Sequence, residues 1–323
     1  MMNLTLRQLR YFDALARHGH FGRAAEACSI SQPALSVQVK ELEETLGVEL
    51  LERGARQVRL SAFGEDFVLR VRDILRSIDE LGDLARASRE KLTGRLRIGV
   101  IPTVAPYLLP AMIGRLTRDN PALDIHVRET VTPKLLDELA EGRLDTAIVA
   151  LPVSEASLEE VSLFDEHFLL VRSWEDEEKP VPEREQLQEM RLLLLEEGHC
   201  FREQALSFCQ IGSGSQRPRE LLDGSSLSTL VQMVGAGIGV TLIPEIAVPV
   251  ETRSARVCVA RFKDPQPSRR IGMVWRRSSP IARQLHAIAD IVRTSAENLR
   301  TADGPPARPV NHPATSGGAD DRS

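Results

Sequence analysis

Along the first fifth of the chain, hydrophobic positions recur at helical spacing. Leu6, Leu9, Phe12, Leu15 and Ala16 form one apolar stripe, which predicts a helix ending near His18-Gly19-His20. FGRAAEAC predicts a second, short helix. A third is predicted over SQPALSVQVKELEETLG. There Ser31 suits an N-cap, Pro33 falls in the first turn where its missing N–H costs little, and Gly47 ends the helix. Leu35, Val39, Leu42 and Leu46 repeat along one face of it. LLERGARQVRLSAFG then sets short apolar runs on either side of a glycine turn, as a two-stranded wing would. From Ala62 to about Lys91 the pattern is one long helix without proline. Phe67, Val71, Ile74, Ile78, Leu81 and Ala85 are spaced 4-3-4-3-4 along it, an a/d seam that predicts a coiled-coil dimer.

After Thr93-Gly94 the texture changes. LRIGVIP, LDIHVRE and LDTAIVAL read as strands, separated by the helical patterns LLPAMIGRLTRDN and PKLLDELAEG. A second block repeats the alternation: FLLVRS, a helix around Glu183 to Met190, LLLLEEG, GHCFREQALSFC, RELLDG, SLSTLVQMVGAG and GVTLIP. RIGMVWRRS and a helix after Pro280 complete it. Such βαβ alternation implies parallel strands with crossover helices. The last 23 residues, 301–323, are rich in Pro, Gly and Asp and read as a disordered tail.

Composition narrows the class without naming a function. With 323 residues, 42% hydrophobic and 27% charged, the chain is long enough for two or three domains with their own cores. The N-terminus has no apolar signal region and no run approaches a membrane span, so a cytoplasmic location and no membrane partner are expected. A net charge of −5 argues against indiscriminate nucleic-acid binding but leaves room for a small local DNA reader. The four cysteines (Cys28, Cys200, Cys209, Cys258) are too few for a disulfide scaffold and have no CxxC spacing, so neither a metal site nor a cofactor is expected.

Two short helices joined by a tight turn, the second opening on small polar residues, fit a plain helical hairpin or equally a helix-turn-helix, whose second helix meets base edges with its N-terminal part. Gln32, Pro33, Ser36, Gln38 and Lys40 are the candidate contacts there, and Arg53, Arg56 and Arg59 of the wing suit phosphates or a minor groove. Over residues 6–64 the wording itself, LRQLRYFDALARHGHFGRAAEAC, SQPALSVQVKELEETLGVELLER and LSAFG, closely resembles the DNA-binding domain of LysR-type transcriptional regulators. The resemblance implies an all-α winged helix-turn-helix over 1–61, a dimerisation helix over 62–92 and an α/β effector domain over 93–300. That effector domain would be periplasmic-binding-protein-like, with subdomains of about 95–165 plus 268–298 and about 166–267. Double-stranded promoter DNA is the implied partner, with RNA polymerase beside it. A homotetramer built as a dimer of dimers is the implied assembly.

GHCFREQALSFC holds the least ordinary feature. If 199–209 is helical, nine steps put Cys200 and Cys209 roughly 13–14 Å apart along the axis and on opposite faces. A disulfide needs Cα atoms within about 7 Å, so bonding the pair requires melting the helix. Cys200 falls in the first turn, where unpaired N–H groups favour an anion, and His199 and Arg202 are close in sequence. Peroxide would carry such a thiol to a sulfenic acid, and a second thiol nearby would condense with it. Cys28 and Cys258 read as small buried residues. GHCFREQALSFC together with IPTVAPYLLP, SLSTLVQMVGAGIGVTLIPEIAVP and RRIGMVWR resembles the hydrogen-peroxide-sensing branch of the same family, over residues 1 to about 298. That resemblance makes Cys200 the peroxidatic thiol and Cys209 the resolving one, with Thr103, Thr132, His199 and Arg270 around the peroxide. Arg269 is an adjacent competitor for the role of Arg270. It also implies a thiol reductant of glutaredoxin or thioredoxin type, and a protein gathered on the bacterial nucleoid when DNA-bound. Glu203 stands where the pattern has Asp.

Two other functions fit parts of the sequence. A LysR-type regulator answering a small metabolite would need only the effector domain, and the two-cysteine spacing counts against it. A thiol peroxidase would need neither a winged head nor a dimer helix, so no enzymatic turnover is expected.

Overall fold

The computed structural model describes residues 4–52, 58–87, 93–209 and 221–302. The chain divides into two compact units. One comprises Met1–Ile101, Leu116–Ser162 and Ile271–Ala289, the other Pro102–Arg115, Leu163–Arg270 and Asp290–Ser323.

The first unit opens with three helices, α1 (Leu6–His18), α2 (Phe21–Ala27) and α3 (Gln32–Leu46). Each begins on a side-chain cap: Thr5 in a capping box with Gln8, His20 Nδ1 accepting from the Gly22 N–H at 3.0 Å, and Ser31 Oγ accepting from the Ala34 N–H at 3.4 Å. Gly19 and Gly47 close α1 and α3 in the left-handed conformation that glycine adopts without cost. Their apolar faces fill two small clusters, Leu9, Phe12, Leu42, Leu50, Val68 and Val71 in one, Leu15, Ala24, Ala25, Leu35 and Val39 in the other. Leu51 and Leu60 form an antiparallel bridge and the Glu52 N–H donates to the Arg59 carbonyl at 2.9 Å, the base of a wing.

Helix α4 (Ala62–Ala87) follows, and the expected seam divides along it. Val71 is buried and Phe67 packs on Phe12 at 5.7 Å, so these two positions serve the head itself. Ile74 and Leu81 are left 47% and 65% exposed. Next come β1 (Gly94–Val100), α5 (Ala105–Asp119), β2 (Leu123–Glu129), α6 (Thr132–Ala140) and β3 (Thr146–Leu151), with β1 parallel to both β2 and β3 as the βαβ pattern requires.

The second unit is built on β4 (Leu158–Ser173), β5 (Leu192–Leu195), β6 (Leu221–Gly224) and β7 (Val240–Pro244), interleaved with α7 (Cys200–Phe208) and α8 (Leu227–Gly235). Strand β5 is parallel to β6 and β7. Strand β4 runs antiparallel to β7 and to β8 (Val257–Ala260), which follows the short α9 (Val248–Glu251) and makes the sheet mixed. β9 (Ser268–Arg276) and α10 (Ala282–Ala302) complete the chain. All four residues of β5 are buried, and Phe168, Phe201, Ala205, Val231 and Leu242 join them in one core. The helix expected around Glu183 to Met190 is a single 3-10 turn, Gln186–Glu189, burying only Leu187: Pro180 and Pro182 precede it and one apolar anchor cannot hold a longer helix. The architecture is the expected one, a helix-turn-helix head with an α/β effector region.

Candidate functional site

The chain leaves β5 through Glu196-Glu197-Gly198 and turns into α7 at Gly198, whose φ of +93° few side-chain-bearing residues adopt. His199 is the N-cap, Cys200 the first helical residue and Cys209 the C-cap, so the two sulfurs stand at opposite ends of one helix. Both are free thiols; Cys200 is half-buried and Cys209 fully buried. Burial pushes the Cys209 thiol up to about 11, against a small opposing pull from the Arg184 charge, so at neutral pH it is protonated in the folded helix. Burial also lowers the His199 imidazole below its ordinary value, the Glu196 carboxylate working the other way, and the ring is neutral at neutral pH.

Several contacts hold α7 in place. Phe201 is buried edge-on to Phe168 at 4.8 Å. Arg202 donates to the Leu195 carbonyl at 2.6 Å and pairs with Asp223, which commits its charge to the backbone and β6. At the far end Arg184 donates to the carbonyls of Ser207 and Phe208 and lies over the Phe208 ring at 5.1 Å. Gln188 Nε2 donates to the Cys209 carbonyl at 2.8 Å. These donors satisfy carbonyls that the helix leaves open at its C-terminus.

Thr103, just after β1, is buried. The guanidinium beside it belongs to Arg269: Nη1 donates to Thr103 Oγ1 at 2.9 Å and Nη2 to its carbonyl at 3.2 Å, while Nε donates to Glu166 at 2.8 Å. Its side chain is 0% exposed and lies 5.2 Å over the Phe201 ring, next in sequence to Cys200. Arg270, by contrast, is 57% exposed and paired with Asp165. Consecutive strand residues point to opposite faces, so Arg269, the adjacent competitor, and not the expected Arg270, is the guanidinium beside Thr103. Thr132 lies in the other unit, at the first position of α6, its Oγ1 buried without a hydrogen-bond partner among the described residues. Cys28 packs partly buried in the head, and Cys258 is half-buried with its thiol directed at the Ser173 carbonyl.

On the head, Gln32, Pro33, Ser36 and Lys40 are exposed on α3. Lys40 lies 3.5 Å from Glu44, and Gln38 is half-buried with its amide donated to Glu41 at 2.7 Å. Arg59 is exposed; Arg53 and Arg56 lie outside the described residues. Among the described residues, no group of three His, Cys, Asp or Glu side chains could hold a metal ion, and no helix is long and apolar enough to cross a membrane. Sequence reasoning missed Glu166, the carboxylate that fixes Arg269, and Arg184 and Gln188, which clamp α7 from a segment with no motif of its own.

The LysR substrate binding domain matches residues 89–297, and the bacterial regulatory helix-turn-helix domain of the lysR family matches residues 6–65. A Streptomyces viridosporus protein described as "Probable hydrogen peroxide-inducible genes activator" is 46% identical over 300 residues, 91% of this chain and 95% of its own length. A full-length OxyR variant from Pseudomonas aeruginosa superimposes with a TM-score of 0.72 at 38% identity, covering 91% of this chain and 96% of that one. A Corynebacterium glutamicum OxyR mutant with hydrogen peroxide bound gives a TM-score of 0.63 at 36% identity, covering 93% and 95%. With the two-cysteine helix, the capped helix-turn-helix and these likenesses together, the chain belongs to the LysR family of bacterial DNA-binding transcriptional regulators, in the group of the hydrogen peroxide-inducible genes activators.

Proposed function

We propose that this protein is a peroxide-responsive transcription activator whose signal is the bond state of α7. The Cys200 thiolate attacks one oxygen of hydrogen peroxide, the O–O bond breaks, and hydroxide leaves a sulfenic acid on Cys200. Cys209, once freed from its buried site, attacks that sulfur; water leaves and a Cys200–Cys209 disulfide forms. Thr103, neutral His199 and Arg269 are the hydrogen-bonding groups assigned to the peroxide. A thiol reductant of the glutaredoxin or thioredoxin type would return both sulfurs to thiols.

The observation that carries this reading is the placement of the two thiols at opposite ends of one helix, Cys209 buried and protonated. Nine residues of helix separate them by roughly 13–14 Å along the axis, so bond formation and an intact α7 exclude each other. A covalent mark therefore becomes a change of shape. In this reading the protein is a cytoplasmic homotetramer, a dimer of dimers gathered on the nucleoid, and the oxidised form presents its heads to promoter DNA and RNA polymerase in a new arrangement. Counting free thiols during a peroxide titration tests it. Wild type should lose two thiols per chain and Cys209→Ala should stop at a dimedone-reactive sulfenic acid. Cys200→Ser should lose none and should not activate transcription. A Cys200→Ser protein that still activates on peroxide would remove the assignment.

A further inference from the structure

The exposed face of α3 carries one large apolar side chain, Val37. Leu35, Val39 and Leu42 are buried against the head. At 100° per residue Val37 points about 165° away from their mean direction, further from the core than Pro33 at about 155°, Lys40 at about 135° or Ser36 at about 95°. It is 53% exposed and belongs to neither apolar cluster of the head. A single exposed valine is ordinary on a protein surface. Here, however, its direction coincides with the one in which a recognition helix enters the major groove, and its neighbours one turn away are Pro33, the single methyl of Ala34, Lys40 and Glu41. In the free protein the residue contributes nothing that a straight-chain polar residue would not, and its branched Cβ costs helix propensity.

Valine has no donor or acceptor, so it cannot read the hydrogen-bonding edge of any base. In the major groove only thymine presents a methyl group, at C5. An apolar side chain set against it removes two apolar surfaces from water, whereas cytosine at the same place would leave its amino group desolvated without a partner. We infer that Val37 reads the C5 methyl group of a thymine in the operator, and so is a specificity-determining residue of the head alongside its polar contacts. The inference rests on the DNA-binding role of α3 and is independent of the peroxide chemistry.

Deoxyuridine in place of thymine deletes that methyl and keeps every pairing and hydrogen-bonding group, which makes the test specific. A duplex enriched from a random-sequence pool by the full-length reduced protein at fixed salt serves as the probe, and each of its thymines is replaced singly. At one thymine, or at it and its symmetry mate, deoxyuridine should weaken wild-type binding by roughly fivefold, the effect of one buried methyl. Val37→Ala should bind the unmodified duplex more weakly by a similar factor and be indifferent to deoxyuridine at that position alone. Val37→Thr, which keeps the branched shape and one methyl, should fall between, and it carries the comparison should the alanine variant not fold. A wild type unaffected by every single replacement would overturn the inference, as would variants that keep the wild-type sensitivity at every thymine. A protein that enriches no sequence would overturn it together with the DNA-binding role of α3.

Discussion

Arg269 and Arg270 are neighbours in sequence and opposites in environment. Arg269 is sealed between Glu166, Thr103 and Phe201, while Arg270 shares solvent with Asp165. Arg269→Ala strands the Glu166 carboxylate, which is 1% exposed, without its cation, and such a loss costs about 3–5 kcal/mol. Arg270→Ala should leave stability close to wild type, because a solvent-exposed pair contributes little. Denaturant unfolding of the two variants checks both outcomes, and only the first should slow thiol loss to peroxide. The difference in burial was legible: Ile271, Met273 and Trp275 mark one face of the strand at period two, and Arg269 shares their parity. What hid it is that Gly272 and Val274 are buried too, so both faces of β9 are covered and the alternation is blurred. At Cys209, folding favours the neutral thiol. The resulting stabilisation is complete below the ordinary thiol value near 9 and is lost as pH rises from there toward about 11. Wild type should therefore lose about 2 kcal/mol more than Cys209→Ala between pH 8 and 11, as unfolding midpoints at the two pH values will measure. An equal loss would place the Cys209 thiol outside the apolar core.

Helix α7 joins two kinds of information. Its span could be read from the sequence, because Gly198 and the glycine-His-Cys wording mark its start and its apolar residues repeat at helical spacing. Its clamp could not. Arg184 and Gln188 come from a segment of turns whose pattern suggested an ordinary helix, and their partners are backbone carbonyls that no motif encodes. Arg184→Ala removes two hydrogen bonds to those carbonyls and the cation over Phe208, together about 1–2 kcal/mol. The open form of α7 should then be roughly 5–30 times more populated. Disulfide formation should accelerate by up to that factor, while the preceding oxidation of Cys200 keeps its rate. Rapid-quench trapping of the sulfenic acid separates the two steps, and a variant that changes only the first step would contradict the clamp.

At the scale of the whole molecule, the head and effector regions were legible because caps, heptads and βαβ periodicity are local signals, and each unit is assembled largely from such pieces. Along the linker, Phe67 and Val71 fit the a/d spacing yet pack on their own head, while Ile74 and Leu81 of the same seam stay exposed and are the positions the proposed dimer would use. Ile74→Glu with Leu81→Glu should consequently weaken dimerisation at least tenfold without unfolding the head, as sedimentation equilibrium would show. The proposed mechanism requires that oxidation withdraw Phe201 and its neighbours from the core as α7 melts, and it assigns that released apolar surface as the link from bond to assembly. Hydrogen exchange across the redox cycle tests the central claim most directly. In the reduced protein the amides of residues 203–208 should be protected; after peroxide they should exchange faster by orders of magnitude in wild type and remain protected in Cys200→Ser. Equal protection of that segment in the reduced and the oxidised wild type would contradict the account, since an intact α7 cannot bring its two sulfurs together.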